Sequence, residues 1–208
     1  MPFVRREIAT TPVVSKAPDR SLETHLAGLS STDSEARWSA ARALGGRADA
    51  VAALAEALAT EQVPRVREAI MTAVMRVGNE ASVLALLPYL RSQDAGLRAT
   101  AIEALQALPD AIAPFMPKLL ADNDADVRLL AAELVRNMPA KDATRILCDL
   151  LQNEQAANVC AAAIDVLAEV GTRDAVPVLQ ACAARFRDTP FLPFAISTTI
   201  ARISNTEG

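Results

Sequence analysis

Aromatic residues are nearly missing from this chain: phenylalanine, tryptophan and tyrosine make up 3% of its 208 residues. Sheets draw on aromatic and β-branched side chains, so a β-rich core is disfavoured. Histidine occurs once, as His25. One imidazole excludes most acid–base enzymes and most histidine-based metal centres. Cysteine is sparse, and Cys148, Cys160 and Cys182 are too few and too widely spaced for a CxxC metal or redox motif. They read as buried, reduced thiols of a cytoplasmic protein. A basic excess is also lacking. The net charge is −4 and the pI about 5.1, which argues against nucleic-acid binding. The opening stretch, MPFVRREIATTPVV, has no apolar run long enough for a secretory signal, and no later run suggests a membrane span.

Alanine and leucine supply most of the apolar 51%, and both are strong helix formers. Sliding the chain along itself reveals a repeat. Related segments begin at Ala36 (ARWSAARALGG), Val66 (VREAIMTAVMR), Leu97 (LRATAIEALQA), Val127 (VRLLAAELVRN), Val159 (VCAAAIDVLAE) and Leu192 (LPFAISTTIAR). Their starts are 30, 31, 30, 32 and 33 residues apart. A fixed period in this range is the signature of a solenoid. Apolar positions recur at spacings of three and four, as in Val127, Ala131, Leu134 and Met138, so each copy is an amphipathic helix. Asp33, Asp94 and Asp124 stand at N-cap positions and Pro64 in a first turn. Gly45–Gly46, Gly78 and Gly171 are expected to end helices in the left-handed conformation.

A second set of helices is expected near 21–30, 49–60, 80–91, 109–121, 141–152 and 173–186. These share a column of Leu29, Leu58, Leu90, Leu120 and Leu151, then Cys182. Pro88, Pro114, Pro117 and Pro177 predict bent helices in repeats three, four and six. The expected fold is therefore all-α, an α-solenoid of about six antiparallel helix pairs over 21–203. It is preceded by an extended or flexible arm (1–20) and followed by a short tail (204–208). The arm carries Arg5, Arg6, Lys16 and Arg20 against Glu7 and Asp19, and could lie along the first repeat or across the groove. In FLPFAISTTIARI, Phe191, Leu192 and Phe194 are expected to seal the terminal core, with Ser197, Thr198 and Thr199 facing water.

The motif D-x-x-V-R-x-x-A-x-x-x-L at this spacing resembles the short HEAT-like repeat, of the type found in bilin lyase-related proteins. The resemblance implies helix pairs whose second, arginine-bearing members line a concave face. It also implies that the column Arg37, Arg67, Arg98 and Arg128 pairs with acidic or carbonyl groups of the neighbouring repeat, as a structural ladder. Phosphate binding is the rival reading for aligned guanidiniums. The ladder stops at Cys160, so the last two repeats must be joined differently.

Positions one, five and eight after the arginine column do not repeat one residue type. They comprise Trp38, Glu68 and Leu129, then Arg42, Thr72, Glu103, Glu133 and Asp165, then Met75, Gln106 and Arg136. A variable column on the groove of a solenoid is where recognition resides. Trp38 reads either as an anchor for a partner or as a residue packed on the N-terminal segment. Leu129 is an apolar residue in a solvent-facing column, and Glu68, Glu103, Glu133 and Asp165 give the groove an acidic centre.

Asp122, Asp124, Asp126 and Glu133 have the spacing of a calcium loop, but Val127 stands where that loop needs glycine. A cap at Asp124 and a first-turn carboxylate at Asp126 account for them instead. No GxGxxG, P-loop, GxSxG or HExxH motif is present. One histidine cannot build the iron site of HEAT-like deoxyhypusine hydroxylases. The groove also lacks the basic, aromatic character of HEAT-like alkylpurine DNA glycosylases. The expected function is a non-enzymatic, cytoplasmic scaffold of bacterial type without a cofactor. It would bind a basic or amphipathic segment of another protein, in signalling or enzyme assembly, and no nucleic acid or membrane. The alternative is an accessory subunit or chaperone for bilin or other tetrapyrrole attachment.

Overall fold

The structure, a computed structural model, describes residues 20–205; residues 1–19 and 206–208 lie outside it, and with them nearly all of the arm. Arg20 is the first residue of a helix rather than the last of an extended segment. The described residues contain helices and turns and no strand. Six pairs follow one another. They are α1 (Arg20–Gly28) with α2 (Ser34–Ala43), α3 (Val51–Thr60) with α4 (Pro64–Val77), and α5 (Glu80–Leu86) with α6 (Ala95–Gln106). Next come α7 (Pro109–Ile112) and α8 (Met116–Leu120) with α9 (Ala125–Leu134). The last pairs are α10 (Ala140–Asn153) with α11 (Ala157–Val170), and α12 (Val176–Arg185) with α13 (Leu192–Asn205). The last helix reaches Asn205, into the residues expected to form a tail.

Local chemistry explains the boundaries. Asp33, Asp94 and Asp124 each accept a hydrogen bond from the first exposed N–H groups of α2, α6 and α9. Pro64 starts α4, and Gly78 ends it with φ +68°. Proline breaks the outer helices of repeats three and four: a 3-10 turn carries Pro88 after α5, and another carries Pro114 between α7 and α8. Repeat six differs from expectation. A 3-10 turn at Arg173–Ala175 leads into α12, and Pro177 falls in the first turn of α12, where no N–H partner is required.

Gly171 also corrects the expectation. Its φ is −69°, in the extended region, so it is not a left-handed cap. Space is what demands glycine there: a Cβ would lie 2.4 Å from the Leu167 carbonyl oxygen and 3.1 Å from Ile203.

The inner helices α2, α4, α6, α9, α11 and α13 pack on one another in order, more extensively overall than the outer helices do. Closer approach in one row bends the stack towards it, so this row lines the concave side. Three residues after each arginine position stand Ala40, Ile70, Ala101, Ala131 and Ala163, all buried. The alanines let neighbouring helices approach closely, and the leucines of the outer row fill the space behind. The sixth repeat closes the stack with Leu192, Ile196, Thr199 and Ile203, at spacings of four, three and four. Phe191 and Phe194 do not seal the core. They are 51% and 74% exposed, because the stripe set by Leu192 turns them outward, and it turns Thr199 inward. No helix of the described residues is long and apolar enough to cross a membrane.

Substituting Gly171→Ala should destabilise the C-terminal repeats by about 1–3 kcal/mol, because the obstacle is rigid backbone. A lowered urea midpoint checks this, and an unchanged midpoint would contradict the packing account.

Candidate functional site

Two surfaces hold the side chains singled out by the repeat. One is the ladder between repeats. Each rung reaches back to the carbonyl six residues earlier. Arg37 donates to Ser31 O at 2.9 Å, Arg67 to Glu61 O at 2.7 Å, Arg98 to Ser92 O at 2.5 Å and Arg128 to Asp122 O at 2.8 Å. Three rungs also reach forward. Arg37 grips Glu61 with two bonds, of 2.6 and 3.0 Å, and Arg128 grips Glu154 with bonds of 2.7 and 3.0 Å. Arg67 approaches Asp94 at 3.4 Å. With their guanidinium nitrogens so engaged, Arg37, Arg67 and Arg128 are occupied by protein rather than presented to a phosphate.

Glu61 and Glu154 do more than receive arginine. Oε1 of Glu61 accepts from the Gln62 and Val63 N–H groups, and Oε1 of Glu154 from those of Gln155 and Ala156. Each carboxylate thus ties a turn to the preceding repeat's arginine. Hydrogen bonds from Arg37 hold the Glu61 carboxyl down at about 2 against the opposing effect of burial, with help from Val63 and Gln62 N–H. Glu154 is lowered in the same way by Arg128. The sequence reading missed both residues. Their signal is the dipeptide Glu-Gln recurring 93 residues apart, three repeats along.

At Cys160 the rung is a thiol, whose Sγ lies 3.7 Å from the Glu154 carbonyl oxygen. The joint is made from the other side: Arg185, on α12, donates to Leu151 O at 2.5 Å and Gln152 O at 3.0 Å, in the last turn of α10. Cys148, Cys160 and Cys182 are buried and free. The Asp122 to Glu133 spacing holds no metal cluster among the described residues. Asp122 accepts from the Asp124 N–H and pairs with Arg91, while Asp124 caps α9.

The second surface is the concave row, where opposite charges gather at its two ends. At the N-terminal end Trp38 is half-buried. The guanidiniums of Arg42 and Arg65 stand over its ring, 4.6 and 4.1 Å from the centroid. A recess of about 300 Å³ opens here, lined by these three residues with Glu68, Thr72 and Arg76. Arg65 also pairs with Glu35 at 2.8 Å. Further along, Arg136 gathers three carboxylates. Glu133 is at 2.7 Å, Asp165 at 3.1 Å, and Glu169 completes the group. Hydrogen bonds donated to Glu169 first, then to Glu133, raise Arg136 above its ordinary value despite burial. Between the two ends, Glu103 is exposed and makes no ion pair among the described residues.

The remaining positions are tied to packing. Met75 is half-buried against the core. The Gln106 amide donates to Glu133 O at 2.8 Å, and its backbone carbonyl accepts from Asn137 at 3.0 Å, so Gln106 joins repeats three and four. Leu129 is not solvent-facing, as its column suggested. It is half-buried, packs on the core, and lines a crevice with Leu90, Arg98 and Asp124. The 3-10 turn at Leu87–Arg91 overlaps the face that Leu129 occupies, whereas Ala99 in the same column stays exposed. Arg65, Arg76 and Glu169 were missed. The latter two stand nine positions after the arginine column, one further turn along the face already read.

A family model described as HEAT repeats matches residues 22–106 and 112–189, more than three quarters of the chain. No curated protein matches. Among solved structures, the complex of CpcE and CpcF of phycocyanin lyase from Nostoc sp. PCC7120 is 21% identical. That match covers 96% of this chain and 98% of that one, with a TM-score of 0.46. A designed armadillo repeat protein, YIII(Dq.V1)4CPAF, in complex with the peptide (KR)4, is 17% identical. It covers 88% of this chain and 99% of that one, with a TM-score of 0.45. At these identities the likeness is one of fold alone.

Glu61→Gln should cost about 2 kcal/mol at neutral pH, since it weakens hydrogen bonds made to a buried charge. The Glu61 carboxyl is held below its ordinary 4.5 in the folded chain. Its contribution is therefore complete above pH 4.5 and is lost as pH falls towards 2. Denaturant titrations at pH 7, 4 and 3 should show the stability gap between parent and variant narrowing with acidity.

Proposed function

Since the chain belongs to the HEAT-repeat family, we propose that it is a non-enzymatic scaffold whose concave row receives a basic or amphipathic segment of a partner protein. The observation that carries the reading is the group at Arg136. Glu133, Asp165 and Glu169 face a single guanidinium, which leaves two negative charges in excess where α9 meets α11. Glu103 adds another carboxylate on the next helix of the row. Charges fixed in place before binding steer a cationic segment and set its register, and they cost little to organise on contact.

Such a surface needs no moving part. The ladder ties repeats one to two, two to three and four to five, and Gln106 and Asn137 join three to four, so the spacing between carboxylates is set by the repeat and not by a loop. A partner segment lying along the row would meet one helix about every 9 Å, the usual distance between packed helices. It would gain affinity from several modest contacts rather than from one deep pocket. A curved stack of helices serves partner binding in just this manner.

The pair Glu103→Lys and Asp165→Lys tests the reading without touching the Arg136–Glu133 contact or the core. A fluorescein-labelled Lys/Arg-rich octapeptide should bind the parent chain and weaken at least tenfold on the double variant, with melting unchanged. Equal binding to both proteins would remove the acidic row as the site.

A further inference from the structure

The recess at the other end of the row has the opposite sign. Trp38, Arg42, Arg65, Glu68 and Arg76 meet there, three guanidiniums to one carboxylate. Glu35 engages Arg65 from outside the recess, at 2.8 Å. Arg42 and Arg76 make no ion pair among the described residues. Three cations gathered about one aromatic ring repel one another. The ring offsets part of that cost through its negative face, and Glu68 offsets a further part. A positive excess remains, and it is largely solvent-exposed on Arg42 and Arg76.

We infer that this recess is a seat for a carboxylate of the same partner segment whose basic part lies on the Arg136 group. The inference rests on the scaffold reading above. Its carrying observation is the reversal of charge along one continuous row of helices, with a cationic, tryptophan-floored recess on α2 and α4 and an anionic group on α9 and α11. Chemistry favours a carboxylate. Guanidinium forks suit planar oxyanions, which they grip with paired hydrogen bonds. The recess of about 300 Å³ matches the liquid volume of about ten water molecules, enough for an acidic side chain. Tryptophan and arginine are also among the residues enriched where binding energy concentrates.

Geometry sets the partner's spacing. Three helix-to-helix steps separate the two ends, from the α2–α4 seam to the α9–α11 seam. At about 9 Å per step this is about 27 Å, or about eight residues of extended chain. The partner segment therefore carries an acidic residue and a basic cluster about eight residues apart. A purely cationic segment would be repelled at the first end. This polarity would fix which way the segment lies in the row, a discrimination that an evenly acidic groove cannot make.

The chain contains a reporter for the test, because Trp38 is its single tryptophan. Three peptides would be titrated against the parent protein with tryptophan fluorescence and anisotropy as readouts. One carries Glu-Glu, eight neutral residues and a Lys/Arg block. The second has Gln-Gln in place of Glu-Glu, and the third is the Lys/Arg block alone. The Glu-Glu peptide should bind at least tenfold more tightly than the Gln-Gln peptide and should alone shift the Trp38 emission. Arg42→Gln with Arg76→Gln should abolish that advantage and leave binding of the Lys/Arg block unchanged. Equal affinity of the Glu-Glu and Gln-Gln peptides overturns the seat while the scaffold reading stands. If the Lys/Arg block alone fails to bind, the scaffold reading falls. A Trp38 shift produced equally by inorganic phosphate, without discrimination between the peptides, also overturns the seat. The peptide comparison uses only the parent chain, so it decides the matter even where a variant does not fold.

Discussion

The turns that lead into α2, α4, α6 and α9 each present a backbone carbonyl to a side chain six residues further on. A guanidinium answers it at Ser31, Glu61, Ser92 and Asp122, each six residues before its arginine. That bond binds the turn to its own helix, and the rest of the side chain is then free to reach the next repeat. Buried carbonyls and buried charges are both costly when unpaired. The two requirements are met by the same group, which is why arginine stands here and not lysine: its planar fork serves several acceptors at once. Where Cys160 interrupts the series, the joint is supplied by Arg185 from the outer row, so the requirement persists although the residue changes.

The ladder frees the concave row from structural duty. With the repeats joined at their turns and cores, positions on the open face can differ from one helix to the next without loosening the stack. Charge has accumulated there unevenly, cationic around Trp38 and anionic around Arg136. A rigid array of fixed, unlike charges is suited to reading a sequence of charges on an extended partner. Solvent-exposed ion pairs contribute little to stability, so these groups are poorly explained as reinforcement of the fold.

Some columns were easier to read than others. Asp33, Asp94 and Asp124 announce themselves because a cap depends on the residue and its immediate neighbours. The residue three places after each arginine position, alanine except at Ile70, does the same, since burial of one stripe follows from helical periodicity alone. Trp38 and Leu129 share a column, yet Trp38 borders an open recess and Leu129 a crevice. Periodicity assigns a side chain to a face of its own helix. It does not say how far the next helix overlaps that face, and here the overlap decides exposure. Phe194 shows the reverse: an apolar residue expected inside is turned out, because the stripe begins at Leu192.

The sequence by itself determined the architecture, because a repeated amphipathic helix with fixed caps and turns has one economical way to bury its apolar stripe: against its neighbours in a row. It also located the ladder, since a column that recurs at every period must serve what recurs at every period. The tertiary structure alone decided which charges meet. Arg136 with Asp165 and Glu169, Arg65 with Trp38, and Arg128 with Glu154 each join side chains about 26 to 33 residues apart. Such pairs depend on the distance and angle between adjacent repeats, which no single helix encodes.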